Sequence, residues 1–258
     1  MTLFAARMSL LTACAALAGL LFVPAWAADE PKKAPPTPGE EAEQHVALAE
    51  KTFENFWLDP GQDTFRRRLS TAQGVLIIPI SARIAFIFGG QGGRGVLVTR
   101  DESGKWGGPA FYTLSYASVG LQLGVQVSEV IILVMSQSAV NSLLSSSVRG
   151  GVDAALAGGP VGTGAQTSFQ GDFVGFYRSK VAYAGLNLNG TVLSANDTWN
   201  TGFYGKPTTA VDILVKHDAS SPKGEGLVNQ VSGAAAQAAE QQKTTAAQKP
   251  APQKDEKK

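Results

Sequence analysis

The stretch Phe111–Met135, FYTLSYASVGLQLGVQVSEVIILVM, limits the fold more than any other part of the chain. From Ser118 to Ser128 it alternates strictly. Val119, Leu121, Leu123, Val125 and Val127 point one way, and Ser118, Gly120, Gln122, Gly124, Gln126 and Ser128 the other. A period of two over this length specifies a β-strand with one apolar face. The opposite face carries no charge, only glycine, serine and glutamine. Val130–Met135 is then apolar at every position, as a strand covered on both sides should be. Ala182–Val192 repeats the pattern. Ala182, Ala184, Leu186, Leu188 and Val192 form an apolar face, against Tyr183, Gly185, Asn187, Asn189 and Thr191. Both amide faces are expected to form a structural polar layer before they bind a ligand, because buried polar groups are nearly always satisfied within a fold. Whether Gln122 and Gln126 meet Asn187 and Asn189 is left open by the sequence.

The 258 residues suit one domain with tails. Residues 1–27 read as a secretory signal peptide. Arg7 gives the positive start, Met8–Val23 the apolar run, and Ala25-Trp26-Ala27 the small-residue cleavage site. The chain is therefore expected to be exported to the periplasm or cell envelope. Leu11-Thr12-Ala13-Cys14 offers a competing lipoprotein signal, disfavoured because residues 15–23 would stay apolar after cleavage. Arg7 leaves with the leader, so the 22 basic residues become 21 and match the 21 acidic ones. A neutral chain has no global field to collect nucleic acid, and electrostatic recognition must come from a local cluster.

Residues 28–39 form a Pro-rich linker, residues 40–217 the domain, and residues 218–258 an Ala/Gln/Lys-rich tail. Ala42, Val46, Ala49, Phe53 and Phe56 or Trp57 recur at helical steps, and that helix should stop near Asp59-Pro60-Gly61. Thr64–Ala72 should form a second short helix carrying Arg66-Arg67-Arg68, the densest positive cluster of the domain. Strands are expected at 74–79, 84–88, 95–99, 119–127, 130–135, 150–156, 173–179, 181–193 and 211–215, with a short helix at 138–146. Ala234–Ala247 has helix propensity but no evident apolar stripe, and the last ten residues should be disordered. The fold class expected is α+β. N-terminal helices pack on a curved, mainly antiparallel β-sheet, in the extreme a barrel-like one, followed by a disordered C-terminal tail.

Catalytic and cofactor chemistry find little support. Gly90-Gln91-Gly92-Gly93-Arg94-Gly95 spells GxGxxG, but Val96-Leu97-Val98-Thr99 continues it as a strand, where a dinucleotide loop needs a helix N-terminus. The two histidines, His45 and His217, belong to no metal-ligand spacing and accompany no nucleophile elbow. No catalytic residue, metal or cofactor is expected, and the chain reads as a non-enzyme.

AQGVLIIP (72–79), ARIAFIFGGQGGRGVL (82–97), WGGPAFYTLSYASVGLQLGVQVSEVIIL (106–133), VRGGVDAALAGGPVG (148–162), FYRSKVAYAGLNLNG (176–190) and NTGFYG (200–205) follow one another in the order of the SYLF domain. The chain resembles that family, also called the actin-binding-domain family of yeast actin-patch proteins, from about Gln44 to Val215. The resemblance implies a lipid-binding domain without established catalytic residues. Eukaryotic members bind phosphoinositides and organise actin at membranes, and bacterial members are secreted or lipoprotein envelope proteins. Actin is not expected as a partner here, because a chain with this leader leaves the cytoplasm. Gln73 stands where the family commonly has lysine, which removes one candidate charge.

The function expected is that of an exported envelope protein contacting phospholipid headgroups or the membrane surface. Arg83, Arg94 and Lys180 are the first headgroup candidates and Arg66, Arg67 and Arg68 the next. The alternative is an envelope structural or protein-interaction module that reaches its partner through the C-terminal tail.

Overall fold

The computed structural model describes residues 34–79, 92–116, 127–145, 148–149, 156–157, 172–179 and 191–247. Thr37 sets the first helix. Its side chain accepts from the Glu40 amide at 3.3 Å while the Glu40 carboxylate accepts from the Thr37 amide at 2.7 Å, a reciprocal capping box. Helix α1 (Pro38–Leu58) then buries Ala42, Val46, Ala49, Phe53 and Phe56, the spacing expected from the sequence, with Trp57 only partly covered. Asp59 stops it. The Asp59 side chain accepts from the Gly61 amide at 2.9 Å and opens a 3-10 turn, Pro60–Gln62. Helix α2 (Asp63–Leu69) follows and buries Phe65 and Leu69.

Among the described residues eight strands form one sheet: β1 (Gly74–Ile78), β2 (Gly92–Arg100), β3 (Trp106–Tyr116), β4 (Val127–Val134), β5 (Val148–Arg149), β6 (Leu156–Ala157), β7 (Phe173–Ser179) and β8 (Thr191–Ala195). Their order is β5-β8-β3-β2-β1-β4-β7-β6, and every pair is antiparallel except β6 with β7. The six longer strands curl into a half-barrel. The architecture is thus the α+β fold expected. At the centre, Ile77 faces Val96 on one side and Ile131 on the other. Strand β1 is buried along its whole length, which explains a continuous apolar run without alternation.

Period-two alternation divides the core. Val75, Ile77, Val98, Phe111, Ile131 and Leu133 face α1, α2 and two later helices, and Leu76, Leu97, Tyr112, Val130, Ile132 and Val134 face the opposite side. Helix α3 (Gln137–Leu143) and helix α5 (Ala210–Leu214) cover that second face. Helix α4 (Asp197–Tyr204) lies against α1, so closely that a Cβ on Gly202 would come within 2.7 Å of the Gly39 nitrogen.

Two expectations change. Val211–Val215, expected as a strand from its β-branched residues, lies in and just after α5. Thr209 and Asp212 form a second capping box, and that local hydrogen bonding outweighs β propensity. Ala234–Ala247, expected to have no stripe to bury, is the C-terminal half of helix α6 (Pro222–Ala247). Leu227, Val231, Ala234, Ala235 and Ala238 are buried at helical spacing, and α6 packs on α1, α2 and β3. The stripe escapes a sequence reading because three of its five members are alanine. Of the stretch read as tail, residues 248–258 lie outside the described residues.

The strand ends at Ile78, Gly92, Tyr116, Val127, Ser179 and Thr191 share one margin of the sheet, since Tyr116 faces Thr191, Val127 faces Ser179 and Ile78 faces Val130. The expected strand at 84–88, all of the strand expected at 150–156 except Leu156, the alternating stretch 118–126 and its echo at 182–190 lie outside the described residues.

Candidate functional site

The α1–α2 corner gathers charge and exposed apolar surface. Arg66 Nη1 donates to the carbonyls of Trp57 at 2.9 Å and Asp59 at 2.7 Å, and the guanidinium pairs with Asp63. Arg66 thereby satisfies carbonyls that the end of α1 leaves open. Arg67 is exposed, and its Nη2 donates to Thr64 Oγ1 at 2.8 Å. Arg68 is half-buried. Three consecutive positions point around a helix rather than along one face, and their environments differ accordingly. Leu58, the last residue of α1, is 67% exposed.

Behind this corner Arg178 of β7 ties the helices to the sheet. Its Nε donates to Asp59 Oδ2 at 2.9 Å and its Nη1 to Glu129 Oε2 at 2.5 Å, while Asn55 Nδ2 donates to Glu129 Oε1 at 2.6 Å. Burial works against the Arg178 charge, but the hydrogen bonds it donates to the two carboxylates outweigh this and raise its pKa. Burial likewise pushes the Asp59 carboxyl up, and Arg178, the Gly61 amide and Arg66 together hold it below its ordinary value. One guanidinium thus bridges two carboxylates, one at the end of α1 and one on β4, and this braces the corner.

Arg94 is occupied elsewhere. On β2 beneath α1, its guanidinium lies 3.9 Å from the Trp199 ring centroid and pairs with Glu41 at 3.1 Å. The carbonyl of Arg94 accepts from His45 Nε2 at 3.0 Å, and the His45 ring meets Trp199 edge-on at 5.3 Å. Because a carbonyl only accepts, Nε2 carries the proton. Burial lowers the His45 pKa to about 4, against an upward pull from the hydrogen bond to the Arg94 carbonyl, with a still smaller lowering from the nearby Arg94 charge. His45 is neutral at physiological pH and structural in role.

Of the six headgroup candidates, the structure brings Arg66, Arg67 and Arg68 together on α2, with Arg67 the exposed member. Arg94 is committed to Glu41 and Trp199 inside the fold. Arg83 and Lys180 lie outside the described residues. Sequence reasoning missed Leu58, Arg178 and Trp199. An apolar residue directly before Asp-Pro-Gly signals the exposed end of a helix and points to Leu58, whereas the partners of Arg178 are 49 and 119 residues away and leave no local trace. No group of three or more histidine, cysteine or acidic residues that could hold a metal occurs among the described residues, nor is any described helix long and apolar enough to cross a membrane.

The family expected from the motifs is the family found. Residues 115–234 match the family described as Ysc84, Las17-binding protein actin regulator. LAS seventeen-binding protein 3 of Saccharomyces cerevisiae is 28% identical over 153 residues, which are 57% of this chain and 33% of that protein. Protein YSC84 of the same yeast is 26% identical over 167 residues, 62% of this chain and 36% of that one. The human SH3 domain-containing YSC84-like protein 1 is 26% identical over 165 residues, 62% of this chain and 48% of that one. The chain spans a third to a half of the length of these curated relatives. The family description names Las17 binding and actin regulation and gives no support to setting actin aside.

Proposed function

Starting from a Ysc84-family domain at residues 115–234, we propose that this chain is a non-enzymatic protein that docks on a phospholipid surface through its α1–α2 corner. Leu58 carries the reading. A leucine 67% exposed at a helix end, with Trp57 partly covered before it and three arginines on the next helix, suits the boundary where acyl chains meet headgroups. Arg67 and Arg68 supply the cationic contact, for which a guanidinium fork fits phosphate well. Arg66 holds the corner in shape. Arg83 and Lys180 remain headgroup candidates on sequence grounds. The signal peptide read at residues 1–27 makes the compartment the periplasm or envelope, and the lipid the outer face of an inner membrane or the inner face of an outer one.

A second reading, a protein partner, is favoured by the relatives, whose names include Las17-binding and whose family is described as an actin regulator. The tail as the partner-seeking arm is weakened, because residues 222–247 are packed on the domain.

Co-sedimentation tests the first reading. The chain from Ala28 keeps the whole compact unit Pro36–Lys258. It should pellet with vesicles containing phosphatidylglycerol, pellet less with phosphatidylcholine alone, and lose binding as salt rises. No pelleting on any composition overturns the reading.

A further inference from the structure

Helix α6 changes character at Gly233. On the N-terminal side its packing is specific. A Cβ on Gly224 would come within 2.3 Å of Pro109 Cδ, and one on Gly226 within 2.5 Å of Glu50 Oε1. Leu227 and Val231 are fully buried, and Lys223 pairs with Glu43. Beyond Gly233 the buried side chains are Ala234, Ala235 and Ala238, each with a single methyl group to remove from water. Gln242 Nε2 adds a hydrogen bond to the Arg67 carbonyl, and residues 243–247 are exposed.

Gly233 itself has no packing reason to be glycine. A Cβ there would meet nothing within 4 Å, yet glycine inside a helix loosens it through backbone entropy. Three residues earlier, the side-chain oxygen of Gln230 is buried with no hydrogen-bond partner among the described residues. Such a group favours conformations in which it reaches water. The weak point of the helix therefore coincides with the boundary between its anchored and its loosely held halves.

We infer that Ala234–Ala247 is a strap hinged at Gly233, which closes over α2 and opens locally while the first half of α6 stays docked. Closed, it engages the Arg67 carbonyl and shares one core cluster with Phe65 and Leu69 of α2. Arg67 and Leu58 are exposed with the strap closed, and opening adds to them the α2 surface of Phe65 and Leu69 that packs in the same cluster as Ala234 and Ala235. The strap regulates the corner by limiting how much of α2 reaches a lipid surface. This role rests on the membrane reading given above, whereas the hinge motion does not.

The two parts are tested on the chain from Ala28, as wild type, Gly233→Ala and Ala238→Glu. Hydrogen exchange followed by mass spectrometry reads the hinge. Amides at 234–247 should exchange faster than those at 224–231, Gly233→Ala should slow the first group about fivefold without moving the second, and Ala238→Glu should speed the first group. Uniform exchange along α6, or no response to Gly233→Ala, overturns the strap. Phosphatidylglycerol vesicles read the regulation. Ala238→Glu should bind more than wild type and Gly233→Ala less. Equal binding by all three overturns the control of the corner while the hinge stands. Binding by none of them overturns the membrane reading and the regulation with it, again leaving exchange to decide the hinge.

Discussion

At the residue scale the most informative group is His45. Its folded pKa of about 4 lies below the ordinary value of 6.5, so the unfolded chain takes up the proton first as pH falls. The stability held by neutral His45 is complete above pH 6.5, declines as pH drops toward 4, and is fully lost below that. The loss is on the order of 3 kcal/mol. Denaturant unfolding measured across this window should show the decline, and His45→Gln, whose amide can still donate to the Arg94 carbonyl, should flatten it. A profile that His45→Gln leaves unchanged would assign the effect to the carboxylates. Arg178 offers a second residue-scale expectation. Arg178→Met leaves Glu129, whose side chain is 15% exposed, without its counter-charge. Because Asp59 and Arg178 retain solvent contact, the expected cost is about 1–2 kcal/mol, below that of a fully buried pair. A shift in urea midpoint at constant slope would show it.

At the scale of elements, α6 sets the clearest expectation. Gly224→Ala drives a methyl group into Pro109, whose ring is fixed to the backbone, and should destabilise by about 1–3 kcal/mol; Gly233→Ala, with open space around it, should not destabilise at all. Thermal unfolding of both variants compares them directly. The same helix shows what sequence reading can and cannot see. Phe53 and Phe56 in α1 advertise their buried face by size, and the helix was legible to within two residues. Ala234, Ala235 and Ala238 are also buried, without the contrast in hydropathy that reveals a stripe. Val211–Val215 failed for the opposite reason, since its side chains favour a strand while the hydrogen bonds of Thr209 and Asp212 dictate a helix. Local capping decided an element too short for periodicity to speak.

On the scale of the whole molecule, α1, α2, α3 and strands β1, β2, β4 and β7 were legible because helical spacing and apolar runs are properties of the chain itself, whereas β3, α4, α5 and the packing of α6 were not. The strand order was not, since β1 sits between β2 and β4 and β8 joins β3 only through pairings distant in sequence. The site was legible in part. Arg66–Arg68 stood out as a cluster, but their separation into a helix-capping Arg66 and an exposed Arg67 depends on the turn at Asp59–Gln62. Arg94 was a headgroup candidate beside glycines and is instead stacked on Trp199, a residue 105 positions later in the sequence. On the proposed reading, the domain should bind a membrane through one corner and keep its folded core unchanged. The deciding measurement is vesicle co-sedimentation of Leu58→Glu against wild type on phosphatidylglycerol, with unfolding curves recorded for both. Leu58 is 67% exposed, so its replacement should leave stability within about 0.5 kcal/mol while vesicle binding falls severalfold. Equal binding by the two proteins would contradict the assignment of this corner as the lipid-facing site.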